Sequence, residues 1–547
     1  MQFQLNDSYV DRNNSFSIDY NNNILTGFDE QFVHTHDIGE IILNTLNSKP
    51  DHVAQIDAAT GKQTTFAEMR DVSVRCGLWL RKQGIGSGDL VTLCTPNHLE
   101  VYAPFLAIYY NGAIYNAWNH EITLESARHF MQLLQPKVIF ACESAIETLL
   151  EAAKLEGVNT KIIVFGNFPG IQSLHDITQQ QFEQEVREFC PRVVEDSRET
   201  GLVILSSGSC GMPKGVMHSY GNILKMVQCS QDSMTQVAFW YTPTHLISGF
   251  VFTLHSILSL GTRVLHSSTE IEDTCRMIEK YKINRLYLSP ITITLLCKSQ
   301  AYKKFKLDSV MFASTAGSKI NIKTFEELKQ IIPNALVLQV YGMSETGCCI
   351  TKQTNFTKNP NSVGFPASGI QLKIVDLKTG RALEPNMPGE LCVKSQIMML
   401  GYYKNQKATE EAFDNKGWLH SGDKAYYEDG EIFIVDRMTE VIMYRHNEVS
   451  PSEIEQVLLS HPDIIEASVV AIPHQYDGEW PVAFVKKFPE SKVTEDELVQ
   501  LSSSTLGDVK KLRGGVKFLD NLPKTSPGKY ARPILKEMAK TLSYKEI

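Results

Sequence analysis

Four segments of this 547-residue chain carry residues whose types and spacing could do chemistry. The first, "SSGSCGMPKGV" (206–216), follows the apolar run "TGLVIL", which puts its amides at the carboxyl end of a strand. Gly208, Gly211 and Gly215 let a backbone fold closely around an anion, Ser206, Ser207 and Ser209 add hydroxyl donors, and Lys214 adds charge. The spacing is not that of a GxxxxGK[ST] loop, so the segment reads either as a phosphate-holding loop of another kind or as a surface loop. The second, "VYGMSETG" (340–347), follows "ALVLQ"; it offers the Tyr341 ring to a flat base and the Glu345 carboxylate to Mg2+, a hard cation that takes oxygen ligands. The third, "GWLHSGDKAYYEDGEIFIVDR", puts Asp423 in a Gly-Asp turn and Asp436-Arg437 at the end of a strand. The fourth, "LPKTSPGKYARPILK", carries Lys529 behind Ser526, Pro527 and Gly528 on an exposed loop. Each is weak alone, because an Asp after Gly is usually a turn former and a loop lysine is usually just solvated.

Rigid elements must stand behind these loops. "TFAEMRDVSVRCGLWLRKQGIGSGDLVTLC" opens with a capping box, Thr65 to Glu68, runs apolar at Phe66, Met69, Val72, Cys76, Trp79 and Leu80, and breaks at Gly84 before an apolar strand. Similar helix-then-strand units recur at "TLESARHFMQLLQPKVIFA", "IEDTCRMIEKYKINRLYLS" and "IKTFEELKQIIPNALVLQVYG". Such alternation predicts layered, largely parallel α/β sheets with ligands at the carboxyl ends of strands. From Gly389 the texture changes to shorter strand-rich pieces, "GELCVKS" and "GEIFIVDR", which predict a β-rich subdomain. Beyond Asp436 comes a small α+β pattern, with a helix capped by Ser450, carrying Pro451 in its first turn and boxed by Glu453, then the strand "ASVVAIP", then a helix opened by Thr494 and Glu497. The expected division is a large N-terminal domain, 1–436, and a small C-terminal one, 437–547.

Composition narrows the function classes. With 43% hydrophobic and 21% charged residues the chain is ordinary globular material, and its net charge of -9 gives no electrostatic reason to expect nucleic acid. The start, "MQFQLNDSYVDRNNSFS", has no basic region followed by an apolar run, no stretch is long enough for an integral membrane segment, and the end, "LSYKEI", is not Ser-Lys-Leu; these point to the cytoplasm. The 11 cysteines lack CxxC pairs, so reduced thiols are expected rather than a disulfide frame or zinc site.

In this order and spacing the four segments resemble the adenylate-forming acyl-CoA synthetases, with beetle luciferases and coumarate-CoA ligases as the nearest branch. The likeness runs from "PNHLEVYAPFLAIYYNGAIYNAWN" through the "SSGS-x-G-x-PKG" loop, "YGMSET", "GWLHSGD" and "VDR" to "SPGK". The resemblance implies an acid:CoA ligase that uses ATP, Mg2+ and coenzyme A as co-substrate to activate a fatty or aromatic carboxylic acid, first attaching AMP to it. It also implies that Ser206, Ser207, Gly208, Ser209, Cys210, Gly211 and Lys214 grip the β- and γ-phosphates. Ala316, Gly342 and Ser344 would complete the nucleotide site. Tyr341 would pack on adenine, Asp423 would accept the ribose hydroxyls with Arg437 in support, and Glu345 would hold the metal. Lys529, brought in by a mobile small domain, would bridge carboxylate and α-phosphate. Thr315, Gly317 and His245 would face the acid.

Departures keep other functions open. Cys210 replaces the usual threonine with a weaker donor, and Tyr220 stands where the family usually has histidine. In "VIMYRHNEVSP", Met443, His446 and Glu448 replace a lysine, a glycine and a glutamine that serve the thioester step in relatives, with Arg445 a candidate substitute. Thr315 and Ala316 stand where many relatives have paired glycines, which should narrow the acid slot, and the spacing from His245 to Gly249 is one residue longer than in most ligases. The chain therefore reads as a ligase, as an adenylating enzyme with an impaired thioester step, or as a nucleotide- or acyl-binding protein without turnover.

Overall fold

The computed structural model describes residues 2–5, 8–11, 16–28, 37–206, 212–228, 236–268, 270–347, 349–445, 447–525 and 529–541. Ser207, Gly208, Ser209, Cys210 and Gly211 of the first segment lie outside the described residues, as do His446 and Ser526, Pro527 and Gly528.

The predicted helix-strand units form as their patterns require. Helix Phe66–Lys82 starts at a reciprocal capping box between Thr65 and Glu68, buries Phe66, Met69, Cys76, Trp79 and Leu80, and feeds strand Leu90–Cys94. The pairs Leu124–Leu134 with Val138–Ala141, Ile271–Tyr281 with Arg285–Tyr287, and Ile322–Ile331 with Leu336–Gly342 repeat the arrangement. Their strands assemble into two sheets of the large N-terminal domain. One has seven strands, five of them parallel and ending on Thr200–Ser206, which then pairs antiparallel with Lys214–Ser219. The other has nine, with a parallel run from Val53–Asp57 to Leu336–Gly342 through Phe312–Thr315. Helix Tyr102–Tyr110 is buried on every side, so its lack of amphipathic periodicity reflects its place inside the core rather than on a face.

The strand-rich stretch after Gly389 joins an antiparallel eight-stranded sheet, where Gly389–Ser395, Leu419–Glu428 and Glu431–Arg437 are neighbours. The small C-terminal domain has a five-stranded sheet centred on Ile464–His474 and Gly478–Lys487, covered by helices Pro451–Leu459 and Glu495–Leu506. Ser450 and Thr494 cap these helices by accepting from Glu453 and Glu497 amides, but neither glutamate closes a box: Glu453 pairs with Lys510 at 2.5 Å and Glu497 faces His461 at 3.5 Å. Among the described residues no helix is long and apolar enough to cross a membrane, and Cys76, Cys94, Cys142, Cys190, Cys275, Cys297 and Cys392 are free thiols.

Candidate active site

A cleft of about 1140 Å3 separates the two domains, and the carboxyl ends of the parallel strands open into it. Ser206 and Lys214 lie opposite each other in the antiparallel ladder at its mouth, and both line it. Gly215 is required by packing: a Cβ there would come within 2.9 Å of Val203 Cγ1 and 3.2 Å of Tyr403 Cβ. Tyr220 also belongs to the core, fully buried with its hydroxyl donating to the Ala113 carbonyl at 2.6 Å.

Tyr341 ends strand Leu336–Gly342, and its hydroxyl donates to Asp423 Oδ2 at 2.5 Å. Arg437 Nε meets the other oxygen of Asp423 at 2.9 Å, and Arg437 Nη1 donates to the Ser421 carbonyl at 3.2 Å. Asp423 does not sit in a turn as expected. It lies inside strand Leu419–Glu428 directly opposite Arg437, and the bend expected there is taken up by Gly422 at φ +71° within the strand. Burial raises the Asp423 carboxyl above its ordinary 3.8, with Arg437, Tyr341 and Lys529 pulling the other way. Desolvation alone would lower Arg437, but Asp423, Tyr341, Glu345 and Glu440 outweigh it and hold the guanidinium charged.

Glu345 lies in the tight turn Ser344–Thr346, and that turn is braced from three sides. Tyr402 donates to Glu345 Oε1 at 3.0 Å, the Met399 amide donates to the Glu345 carbonyl at 2.8 Å, and His218 Nε2 lies 2.7 Å from the Ser344 carbonyl. Burial pushes the His218 imidazolium down to about 4, so the ring is neutral and Nε2 is its donor. The Lys214 ammonium sits 4.8 Å from the centre of the Tyr402 ring, so one tyrosine touches both the cation of the first segment and the carboxylate of the second. Neither His218 nor Tyr402 was legible as a site residue. Both act across more than 50 residues of chain, and a lone His or Tyr carries no spacing signal.

Lys529 enters the cleft from the small domain. More than a third of its surface is exposed, yet the cleft walls strip enough water to lower its ammonium below 10.5; Arg437 adds repulsion, while Asp423, Glu345 and Glu440 partly offset both. Its loop is closed by the Thr525 amide donating to the Lys529 carbonyl at 2.7 Å. On the opposite wall Thr315 is buried at the end of its strand, and Gly317 follows at φ +96°. The described cleft lining takes in Thr315, Gly317, Gly342 and Ser344 but neither Ala316, which is exposed beside it, nor His245, which is buried at 7%.

The unusual loop after the last strand of the large domain is also in view. Met443 is 44% exposed, with its amide donating to Glu479 Oε2 at 2.8 Å, and Glu448 pairs with Lys424, the neighbour of Asp423. Arg445, in the left-handed region at φ +45°, is held by Asp477 at 2.5 Å.

Residues 43–403 match the AMP-binding enzyme family and residues 453–529 match the AMP-binding enzyme C-terminal domain. A luciferin 4-monooxygenase of Photuris pensylvanica is 31% identical over 500 residues, covering 89% of this chain and 92% of its own. A 4-coumarate-CoA ligase 1 of Narcissus pseudonarcissus is 29% identical over 506 residues, covering 90% and 91%. The crystal structure of ATP-bound MatB from Rhodopseudomonas palustris superposes with a TM-score of 0.82 at 22% identity over 92% of this chain and 99% of that one, a likeness of fold.

Proposed function

The chain belongs to the AMP-binding enzyme family, and from that premise we propose that it is an acid-thiol ligase that converts a fatty or aromatic carboxylic acid to its acyl-CoA by way of an acyl-adenylate. The observation that carries this reading is the convergence on one cleft of Tyr341, Asp423 and Arg437 from two sheets, Glu345 from a tight turn and Lys529 from a loop of the small domain. In the first step a carboxylate oxygen attacks the α-phosphorus of ATP and pyrophosphate leaves. Two anions must meet, so positioning and charge neutralisation supply most of the catalysis. Tyr341 and Gly342 receive adenine, Asp423 with Arg437 holds the ribose, and Ser206 and Lys214 take the terminal phosphates together with Ser207, Gly208, Ser209, Cys210 and Gly211. Lys529 places its ammonium between carboxylate and α-phosphate. Glu345 fits a Mg2+ ligand, being an oxygen donor oriented by Tyr402 on the cleft wall, and the bound ion would neutralise phosphate charge. Thr315 and Gly317 border the acid. In the second step the thiol sulfur of coenzyme A attacks the acyl carbon, the bond to AMP breaks and the thiol proton leaves to solvent, after residues 437–547 have turned about Asp436.

One observation favours a second reading, in which the adenylate forms but is passed on slowly. Met443 offers no charge where relatives carry a lysine, and Glu448 adds a carboxylate, paired with Lys424, where they carry a glutamine. Exchange of labelled pyrophosphate into ATP over a panel of acids tests the first step. Adding coenzyme A then separates the two readings: thioester supports the ligase, and accumulated adenylate supports the second. ATP binding without exchange on any acid would leave only a binding protein.

A further inference from the structure

Helix Pro451–Leu459 of the small domain is gripped at both ends. At its amino end, Ser450 Oγ and the Ser452 amide both donate to Asp436 Oδ2, at 2.6 and 3.2 Å, and Ser452 Oγ donates to the Val435 carbonyl at 3.0 Å. At its carboxyl end the partner comes from the large domain. Lys298, in the last turn of helix Pro290–Ser299, donates from Nζ to the carbonyls of Leu459, at 3.3 Å, His461, at 2.9 Å, and Ile464. Beside it Asn321 Nδ2 donates to the Gln456 carbonyl at 3.0 Å, while Asn321 Oδ1 caps helix Ile322–Ile331 by accepting from Thr324.

This contact is built to be specific. The last carbonyls of a helix lack partners within it and form the negative end of its dipole, so a cation seated there satisfies both; the Leu459 carbonyl is the helix's own, and those of His461 and Ile464 follow it on the turn into strand Ile464–His474. With Asp436 at the positive end, the helix lies between a carboxylate and an ammonium of matching sense. The ammonium gives up water to sit there: burial lowers Lys298 to about 8, with Asp463 of the small domain and Glu327 opposing the drop and Lys323 adding to it. Three carbonyls of one partner replace that water, which distinguishes the site from an exposed ion pair worth little to either domain.

We propose that Lys298, assisted by Asn321, is a positioning residue that latches the small domain in the orientation that carries Lys529 into the cleft. The proposal deepens the adenylation reading and rests on it for its effect on rate. Any turn of the small domain must pull three carbonyls off one ammonium, so the latch sets how the enzyme divides its time between adenylation and the step that follows.

The test uses the full chain with Lys298→Met, which keeps the stem and removes the charge, and Asn321→Asp, which keeps the helix cap and turns the donor into an acceptor. Three readings are taken: acid-dependent pyrophosphate exchange, AMP affinity by calorimetry, and deuterium uptake at hinge residues 437–441. The latch predicts that exchange falls about tenfold or more in Lys298→Met, the change expected for one charge-assisted hydrogen bond, and less in Asn321→Asp. AMP affinity should stay within about threefold, less than the loss of one neutral hydrogen bond, and hinge uptake should rise in both. Exchange and hinge uptake unchanged in both variants overturns the proposal, as does a parallel loss of AMP affinity, which would mark general damage. Absence of exchange in the parent chain would fail the adenylation reading instead, and hinge uptake would then decide the latch.

Discussion

The Tyr341 hydroxyl and the Asp423 carboxylate are joined by a 2.5 Å hydrogen bond that ties the end of a parallel strand in one sheet to an antiparallel strand in another. A ribose that binds Asp423 either shares the carboxylate with the Tyr341 hydroxyl or displaces it, and in neither case needs the phenol. Tyr341→Phe therefore costs the nucleotide nothing it needs, and AMP affinity should stay within about threefold of the parent. Asp423→Asn, which removes the charge, should weaken it about tenfold or more. Calorimetric titration with AMP checks both.

Two pKa displacements set a pH window for pyrophosphate exchange. Asp423 is raised above 3.8 by burial, so its carboxylate is lost on acidification sooner than an ordinary one. Lys529 is lowered below 10.5 by desolvation, so its ammonium is lost on the alkaline side sooner than an ordinary lysine. The rate profile should be a bell narrower than these reference values. Lys529→Arg should move only the alkaline limb outward, at a reduced maximum.

Two buried groups should tilt stability with pH in opposite directions. His218, at about 4 in the fold against 6.5, binds fewer protons folded than unfolded between those values, so it contributes stability that is lost as pH falls from about 6.5 to 4. Glu455, raised to about 7 by burial beside Arg532, binds more protons folded than unfolded between 4.5 and 7, so its contribution is lost as pH rises through that range. Calorimetric melting from pH 5 to 8 should show His218→Ala weakening the acid-side loss and Glu455→Gln weakening the neutral-side loss. His218→Ala should also lower stability at pH 7 by about 1–3 kcal/mol, because the Ser344 carbonyl loses its donor.

The loop around Met443 makes a separable prediction. Met443→Lys combined with His446→Gly should raise the rate of thioester formation while leaving pyrophosphate exchange near the parent value. Glu448→Gln should change stability by less than about 1 kcal/mol, since its pairing with Lys424 is solvent-exposed on the glutamate side. Thioester rates that do not move in the double variant would show that those positions do not limit the second step.

Much of the scaffold was legible because its signals are local. The Thr65–Glu68 box, the apolar stripe of Phe66, Met69 and Trp79, and the Ser450-Pro451 start lie within one or two helical turns of the residues they act on. Gly422-Asp423 carries the local signal of a turn, and the sheet overrides it by pairing Asp423 with Arg437. Tyr402, His218 and Lys298 stayed hidden for one reason: each acts on a backbone or side chain brought close only by the tertiary fold, and nothing in its own neighbourhood distinguishes it from a packing residue.

In the proposed first step an ammonium carried by the small domain neutralises the encounter of a carboxylate with the nucleotide held in the large one. Acid-dependent pyrophosphate exchange in Lys529→Ala tests it most directly. The rate should fall about a hundredfold or more, the scale expected when one group aimed at developing charge is removed, with AMP binding retained. Exchange at the parent rate in that variant would contradict it.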